Sequence, residues 1–209
     1  MGVANFLIIA AISYLLGSLS FAIIICKLTL GQDIRTYGSG NAGLTNSYRT
    51  MGAKRTFLVL VGDIGKAAIA LAIGGMLEGV MGKLIAGIFV IIGHVFPVYF
   101  GFRGGKGVLV GATMLLFLDF RIFLVAFIIF VISVAITKWV SLGSILGAIS
   151  FPISMWCFYK DIKTTIVATF MSLAVIFMHR SNIVRILKGE ENKFSFTSKP
   201  QINKHTEKK

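Results

Sequence analysis

Residues 3–26 read VANFLIIAAISYLLGSLSFAIIIC, a run that is apolar apart from one amide and a few hydroxyl groups. This run is long enough to cross the hydrocarbon core of a bilayer, which takes roughly 20 apolar residues in a helix. It is also longer than the apolar core of a cleaved signal peptide, and no basic residue precedes it. We therefore expect a membrane helix at this position.

The whole chain has the composition of a membrane protein. Of its 209 residues, 56% are hydrophobic and 14% are charged, whereas ordinary soluble domains carry about 25% charged residues. The mean hydropathy is +0.86. We expect an all-α, polytopic integral membrane bundle of about seven helices, at residues 3–26, 56–77, 80–100, 107–119, 122–137, 142–159 and 163–178. The fourth and fifth of these runs are short and could instead form one re-entrant pair.

The net charge is +13, and the positions of the basic residues are explained by the orientation of the chain in the membrane. If the N-terminus lies outside and the C-terminus in the cytoplasm, most lysines and arginines fall on the cytoplasmic side, as the positive-inside rule requires. A nucleic-acid binder is disfavoured, because no aromatic stacking platform accompanies the basic residues. We expect residues 1–192 to form the membrane domain and residues 193–209 to form a flexible basic cytoplasmic tail.

Three polar, glycine-rich islands interrupt the apolar runs. The first island is GSGNAGLTNSYRTMG (residues 38–52), the second is GFRGGKG (101–107) and the third is HRSNIVR (179–185). In the predicted orientation all three lie on the cytoplasmic face. Glycines let backbone amides approach an anion closely, and arginine and lysine add positive charge. The islands therefore predict one anion-binding site.

Nucleotide-binding motifs do not explain these islands. Residues 38–43 fit the pattern GxGxxG, but the dinucleotide fingerprint needs a preceding strand and a soluble βαβ unit. The second island has Gly107 where a P-loop requires Ser or Thr. The few acidic residues form no carboxylate cluster of the kind that holds magnesium, so we expect neither a metal nor another cofactor.

The candidate site residues are donors that can contact a phosphate or an oxyanion. Their side chains carry hydroxyl, amide, imidazole or cationic groups: Ser39, Asn41, Thr45, Asn46, Arg49, Lys106, Ser141, His179 and Asn182. The amides of Gly104, Gly105 and Gly107 flank Lys106 at a predicted helix start, where the helix dipole favours negative charge. His179 and Asn182 share a face if the last helix continues.

A few polar and small residues inside the apolar runs predict contacts within and between the helices. Asp63 and Lys66 are three residues apart, and we expect an ion pair because isolated charges are costly in a membrane. We expect His94 to be structural, with a hydrogen bond to a neighbouring helix. The GxxxG pair Gly143 and Gly147 predicts a close helix contact.

The three islands resemble the signature motifs of the bacterial membrane acyl-phosphate:glycerol-3-phosphate acyltransferase family (the PlsY type). The first island, up to Arg49, resembles the family's first motif, and the second island resembles the second motif. The third island, extended through residues 189–191, resembles the third motif. The chain departs from the usual pattern at Ala42, Leu44 and Asn192, and at Val110, where a threonine is common.

This resemblance implies transfer of a fatty acyl group from acyl phosphate to the 1-hydroxyl of sn-glycerol 3-phosphate, giving lysophosphatidic acid and phosphate. It implies a bacterial cell membrane enzyme of phospholipid synthesis, surrounded by membrane lipids, with no obligate protein partner. Lys106, Ser39 and His179 would be catalytic, and the other candidates would bind substrates. Two other functions stay open from the residues alone: a transporter of phosphate or an organic anion, and a non-catalytic binder of anionic lipid.

Overall fold

The structure is a computed structural model that describes residues 2–195 and 200–202. Over these residues the chain is all-helical, as predicted. The α-helices are α1 Val3–Gly17, α2 Phe21–Leu30, α3 Leu44–Met51, α4 Ala53–Val95, α5 Val108–Leu118, α6 Phe120–Thr137, α7 Val140–Tyr159, α8 Ile162–Met178 and α9 Arg180–Leu187. Two short 3₁₀ helices lie at Ile34–Thr36 and Val98–Phe100.

Several of these helices are suited to a bilayer. In the described part of the chain, four helical stretches are long and apolar enough to cross a membrane: Val3–Leu30, Ala53–Phe100, Phe120–Thr137 and Val140–Tyr159. Helices α8 and α9 together pass the same test across a 60° bend. The predicted class, an integral membrane helix protein, is confirmed, while seven crossings and the N-out orientation stay predictions.

The first predicted helix is interrupted. The sequence predicts one helix over residues 3–26, but α1 ends at Gly17 and α2 begins at Phe21. The hydroxyl of Ser18 donates to the carbonyl of Tyr14 (2.8 Å), and Ser20 in extended conformation precedes α2. Serine side chains compete with the helical backbone for hydrogen bonds, which favours a break in a run that is otherwise apolar.

Helix α4 is two helices joined at a sharp break. Glu78 and Gly79 have non-helical dihedral angles, so the predicted boundary between helices 56–77 and 80–100 is at the observed place. A β-carbon at Gly74 would collide with the backbone of Gly82. Because residues eight apart in a continuous helix are separated by about 12 Å, this contact requires the chain to reverse direction. The second half ends at Val95, two residues before Pro97.

The chain divides into two compact units. The first contains α1 to α5 together with residues 200–202, and in it α1 packs along α4. Glycines allow this approach: a β-carbon at Gly17 would meet the Val90 carbonyl, and one at Gly93 would meet the Tyr14 carbonyl. Small residues at such crossings are typical of membrane helix packing.

The predicted ion pair lies inside the first unit. The Lys66 ammonium is 2.7 Å from Asp63 Oδ1, and both side chains are 1% exposed. Lys66 also donates to the carbonyl of Leu19 (2.7 Å), which lies in the break between α1 and α2. The pairing prediction is confirmed, and the pair also joins α4 to the end of α1.

The second unit contains α6 to α9. A β-carbon at Gly143 would contact Val134 and Phe130, and one at Gly147 would contact the Ala126 carbonyl at 3.3 Å. The predicted close contact at this GxxxG pair is therefore confirmed between α7 and α6.

The described part of the predicted tail is ordered against helices. The amides of Gln201 and Ile202 donate to the carbonyls of Arg49 (3.3 Å) and Thr50 (3.0 Å) at the end of α3, and Ile202 is 4% exposed. These two amides therefore bond the last carbonyls of α3, and the flexibility of the tail stays a prediction. Residues 196–199 and 203–209 lie outside the described residues.

The two glycines Gly74 and Gly65 in α4 provide a matched test of the close packing. We expect Gly74→Ala to lower the free energy of unfolding by about 1–3 kcal/mol, because the new methyl group overlaps the Gly82 backbone. Gly65→Ala meets no atom within 4 Å and should be neutral or stabilise by about 0.5–1 kcal/mol, since alanine favours helix. Thermal unfolding in detergent measures both, and equal midpoints for the two variants would contradict the packing assignment.

Candidate functional site

Asn46 holds the first island in shape. It is 3% exposed, and its Oδ1 accepts from the amide of Ser39 (2.9 Å). Its Nδ2 donates to the carbonyls of Tyr37 (3.1 Å) and Ile34 (3.4 Å). Gly38 has φ +59° and lies against the Asn46 carboxamide, so no β-carbon fits there. The loop before α3 is therefore fixed by one buried side chain on that helix.

The second island folds back along the end of α4. The amide of Gly104 donates to the carbonyl of Val95 (3.0 Å), and that of Gly105 donates to the carbonyl of His94 (3.1 Å). A β-carbon at Gly104 would strike the His94 carbonyl. The next residue is Lys106, so backbone hydrogen bonds determine where this lysine begins.

The first and second islands meet at Gly105. A β-carbon on Gly105 would overlap His94 Nε2 and would lie 2.8 Å from the carbonyl oxygen of Ala42. Glycine is required here because two separate segments approach the same α-carbon. This contact joins the two sequence-predicted islands within the first unit.

Arg35, in the 3₁₀ helix Ile34–Thr36 before the first island, bonds the second island and the residue that precedes it. Its guanidinium binds Asp33 (2.7 Å) and donates to the carbonyls of Phe100 (2.7 Å) and Arg103 (3.1 Å). The hydrogen bonds from Arg35 hold the pKa of the Asp33 carboxyl below its ordinary value. Sequence reasoning missed this role, because the Asp-x-Arg spacing signals a local ion pair but not its distant carbonyl partners.

The other predicted donors of the first unit differ in exposure. Ser39 is exposed, whereas Asn41, Thr45, Arg49 and Lys106 are half-buried. The Oδ1 atom of Asn41 is buried, and no hydrogen-bond partner for it lies among residues 2–195 and 200–202. An acceptor without a partner is costly in a protein interior, so this atom is suited to a ligand's donor.

The third island lies in the second unit, at a bend between helices. Helix α8 ends at Met178 and α9 begins at Arg180, so the last helix does not continue straight through His179. His179 is 2% exposed and Asn182 is 6% exposed. The Nδ1 of His179 is 2.8 Å from the carbonyl of Val175. Since a carbonyl only accepts, this contact places a proton on Nδ1 and the lone pair of the neutral ring on Nε2.

Glu191 accepts hydrogen bonds from three polar side chains of the second unit, and we call this cluster the Glu191 hub. Its Oε1 accepts from Ser141 Oγ (2.9 Å) and Asn182 Nδ2 (2.7 Å), and its Oε2 accepts from Arg185 Nε (2.7 Å). Burial of the Glu191 carboxyl raises its pKa, but the three hydrogen bonds outweigh burial, so the net pKa is lowered. Its importance as a hub was not visible from spacing, because Ser141 is distant in sequence.

Several predicted donors thus bond within the protein. The Asn46 amide, the Gly104 and Gly105 amides, and the Ser141 and Asn182 side chains all have protein acceptors. The expectation that the Gly104 and Gly105 amides meet an oxyanion is therefore revised to a role in shaping the loop around Lys106. Asn46 likewise shapes its loop, since both ends of its amide are engaged.

Comparison with known proteins gives a consistent result. Residues 7–189 match the family model described as glycerol-3-phosphate acyltransferase. The chain is 42% identical over 199 residues to the glycerol-3-phosphate acyltransferase of Clostridioides difficile (strain 630), covering 92% of this chain and 97% of that protein. It is 40% identical over 182 residues to glycerol-3-phosphate acyltransferase 2 of Bacillus anthracis, covering 87% and 95%.

Two solved structures have the same fold. Both are of PlsY (YgiH), described as an integral membrane glycerol 3-phosphate acyltransferase. The glycerol 3-phosphate form has a TM-score of 0.85 and 33% identity, over 91% of this chain and 96% of that one. The lysophosphatidic acid form has a TM-score of 0.82 and 31% identity, over 92% and 97%.

The Glu191 hub predicts a pH-dependent stability. Glu191→Gln should lower the thermal midpoint at neutral pH, because it removes the charge that Arg185 binds. A carboxyl with a lowered pKa stabilises the fold above its ordinary value of 4.5 and loses that contribution as the pH falls. The difference between wild type and variant should therefore narrow below pH 4.5 in thermal scans. The exposed neighbour Glu190 provides the control, since Glu190→Gln should unfold like wild type; identical midpoints for Glu191→Gln at neutral pH would contradict the hub.

Proposed function

The chain belongs to the glycerol-3-phosphate acyltransferase family, and we propose that it transfers a fatty acyl group from acyl phosphate to the 1-hydroxyl of sn-glycerol 3-phosphate. The products would be lysophosphatidic acid and phosphate. The solved relative has a glycerol 3-phosphate form and a lysophosphatidic acid form, which supports these two molecules as substrate and product here. Family membership makes the chain an integral membrane acyltransferase of phospholipid synthesis.

The proposed chemistry is a direct transfer. The glycerol hydroxyl oxygen attacks the acyl carbonyl carbon, the bond from that carbon to the bridging phosphate oxygen breaks, and phosphate leaves with the bonding electrons. An acyl phosphate is an activated mixed anhydride, so the protein needs to position two anions and to stabilise the oxyanion that forms. No covalent acyl-enzyme is part of this proposal.

The observation that carries the proposal is the placement of Lys106. It follows two glycines whose amides are bonded to the end of α4, and it precedes Gly107 and the first turn of α5. The Lys106 side chain thus starts from a loop whose backbone is fixed, close to a helix N-terminus, where negative charge is favoured. We assign Lys106 to a phosphate and to the developing oxyanion.

Arg49 and the first island would hold the second phosphate. Arg49 lies in the last turn of α3, and a guanidinium binds phosphate oxygens with two parallel hydrogen bonds. Ser39 and Thr45 add hydroxyl donors on the same segment. The buried Asn41 Oδ1, which has no acceptor role among the described residues, would accept a hydrogen bond from a hydroxyl of glycerol 3-phosphate.

We assign residues of the third island to proton transfer and to substrate binding. We assign the proton of the attacking hydroxyl to a substrate phosphate oxygen, with the Nε2 lone pair of His179 as the alternative acceptor. Asn182 and Ser141, both bonded to Glu191, would contact the substrate; because Ser141 donates its one proton to Glu191, its oxygen would accept from a substrate hydroxyl. We further propose that the reaction takes place on the cytoplasmic side of a bacterial cell membrane, because the basic residues favour that orientation.

The test uses purified protein in detergent with glycerol 3-phosphate and one acyl donor at a time. Lysophosphatidic acid should form from acyl phosphate and not from acyl-CoA. Lys106→Ala should lower turnover on the order of 10²–10³-fold, because a cation facing the developing charge is lost.

Arg103→Ala is the matched control. Arg103 lies in the same loop, has the same charge and is exposed, so its loss should leave most of the turnover. Product formation from acyl-CoA alone, or near-normal turnover of Lys106→Ala, would overturn the proposal.

A further inference from the structure

The Lys66 ammonium lies at the centre of a buried polar network in the first unit. It contacts the Leu19 carbonyl (2.7 Å), Asp63 Oδ1 (2.7 Å) and His94 Nδ1 (3.0 Å). The ammonium is hydrogen-bonded to the Leu19 carbonyl and to His94 Nδ1, and Asp63 supplies the opposite charge as an ion-pair partner. Lys66, Asp63 and His94 are each 3% exposed or less. This network is not part of the three islands.

The network determines the state of the His94 ring. Because the ammonium donates, Nδ1 must accept with its lone pair, and a neutral ring then carries its proton on Nε2. A ring whose Nδ1 accepts a hydrogen bond is not the imidazolium, because both ring nitrogens of the imidazolium are donors. Asp63 Oδ1 is 3.8 Å from His94 Nδ1, too far for a hydrogen bond.

The other edge of the same ring supports the second island. His94 Nε2 occupies the space beside the α-carbon of Gly105, together with the Ala42 carbonyl. The backbone carbonyl of His94 accepts the Gly105 amide (3.1 Å). His94 therefore touches the residue before Lys106 through its ring and through its backbone.

We propose that His94 is a positioning residue for Lys106. Asp63 and Lys66 hold the ring at Nδ1, the ring holds Gly105, and Gly105 determines where the Lys106 side chain starts. His94 touches no substrate in this proposal. The inference rests on the proposed function only in that Lys106 must contact the reacting groups.

The substitution His94→Asn tests the two edges of the His94 ring separately. An asparagine oxygen can occupy the Nδ1 position and still accept from Lys66, but nothing replaces the edge that contacts Gly105. We expect the thermal midpoint to stay near that of wild type, while kcat at saturating substrates falls about 10- to 100-fold, because a shift near 1 Å in a reacting group has such an effect.

Asn5→Ala is a control in the same unit, on α1. Asn5 bonds Glu78 at the break inside α4 (2.8 Å), and about sixteen helical residues separate this break from His94 at about 1.5 Å each, so the loss of the Asn5 side chain should leave kcat and KM unchanged. Wild-type kcat in His94→Asn would overturn the proposal. So would a loss of folded protein that accounts for the whole decrease, or an equal decrease in Asn5→Ala.

Nitrogen-15 NMR of the labelled histidines gives a readout besides activity. The signal that disappears in His94→Asn should show a neutral ring with its proton on Nε2, and a proton on Nδ1 or a charged ring would overturn the network. If wild-type protein makes no lysophosphatidic acid, the proposed function fails, and the ring state still decides whether the network holds His94 as inferred.

Discussion

The buried ammonium group of Lys66 is the constraint on which the first unit depends. A charge inside an apolar bundle must be fully paired, because isolated ionisable groups are costly in a membrane. Its three partners belong to the break after α1, the first half of α4 and the second half of α4. The end of that second half then supplies the carbonyls on which the second island folds. One satisfied cation thus connects the membrane helices to the loop that carries Lys106.

Local patterns made much of the fold predictable. Apolar runs of sufficient length located most helices, and the predicted gap between helices 56–77 and 80–100 coincides with the reversal inside α4. The i, i+3 spacing of Asp63 and Lys66 and the GxxxG pair in α7 also predicted the contacts that are found. These features depend on residues close in sequence, where helix geometry determines which side chains meet.

Long-range contacts could not be predicted in the same way. The hydrogen bonds of Arg35 to the carbonyls of Phe100 and Arg103, and the three donors on Glu191, join residues that no periodicity relates. Several candidates identified by their donor groups, Asn46 among them, turn out to bond within their own loops. Residue type alone could not separate the side chains that shape the islands from those that we assign to substrates.

In the proposed mechanism Lys106, Arg49 and neighbouring side chains suffice for direct transfer of an activated acyl group, without a covalent intermediate. The most direct measurement mixes purified protein rapidly with acyl phosphate in the absence of glycerol 3-phosphate and follows early phosphate release. Direct transfer should give no burst, and one phosphate should be released for each lysophosphatidic acid once glycerol 3-phosphate is added. A burst stoichiometric with the protein, accompanied by acyl label on the chain, would contradict it.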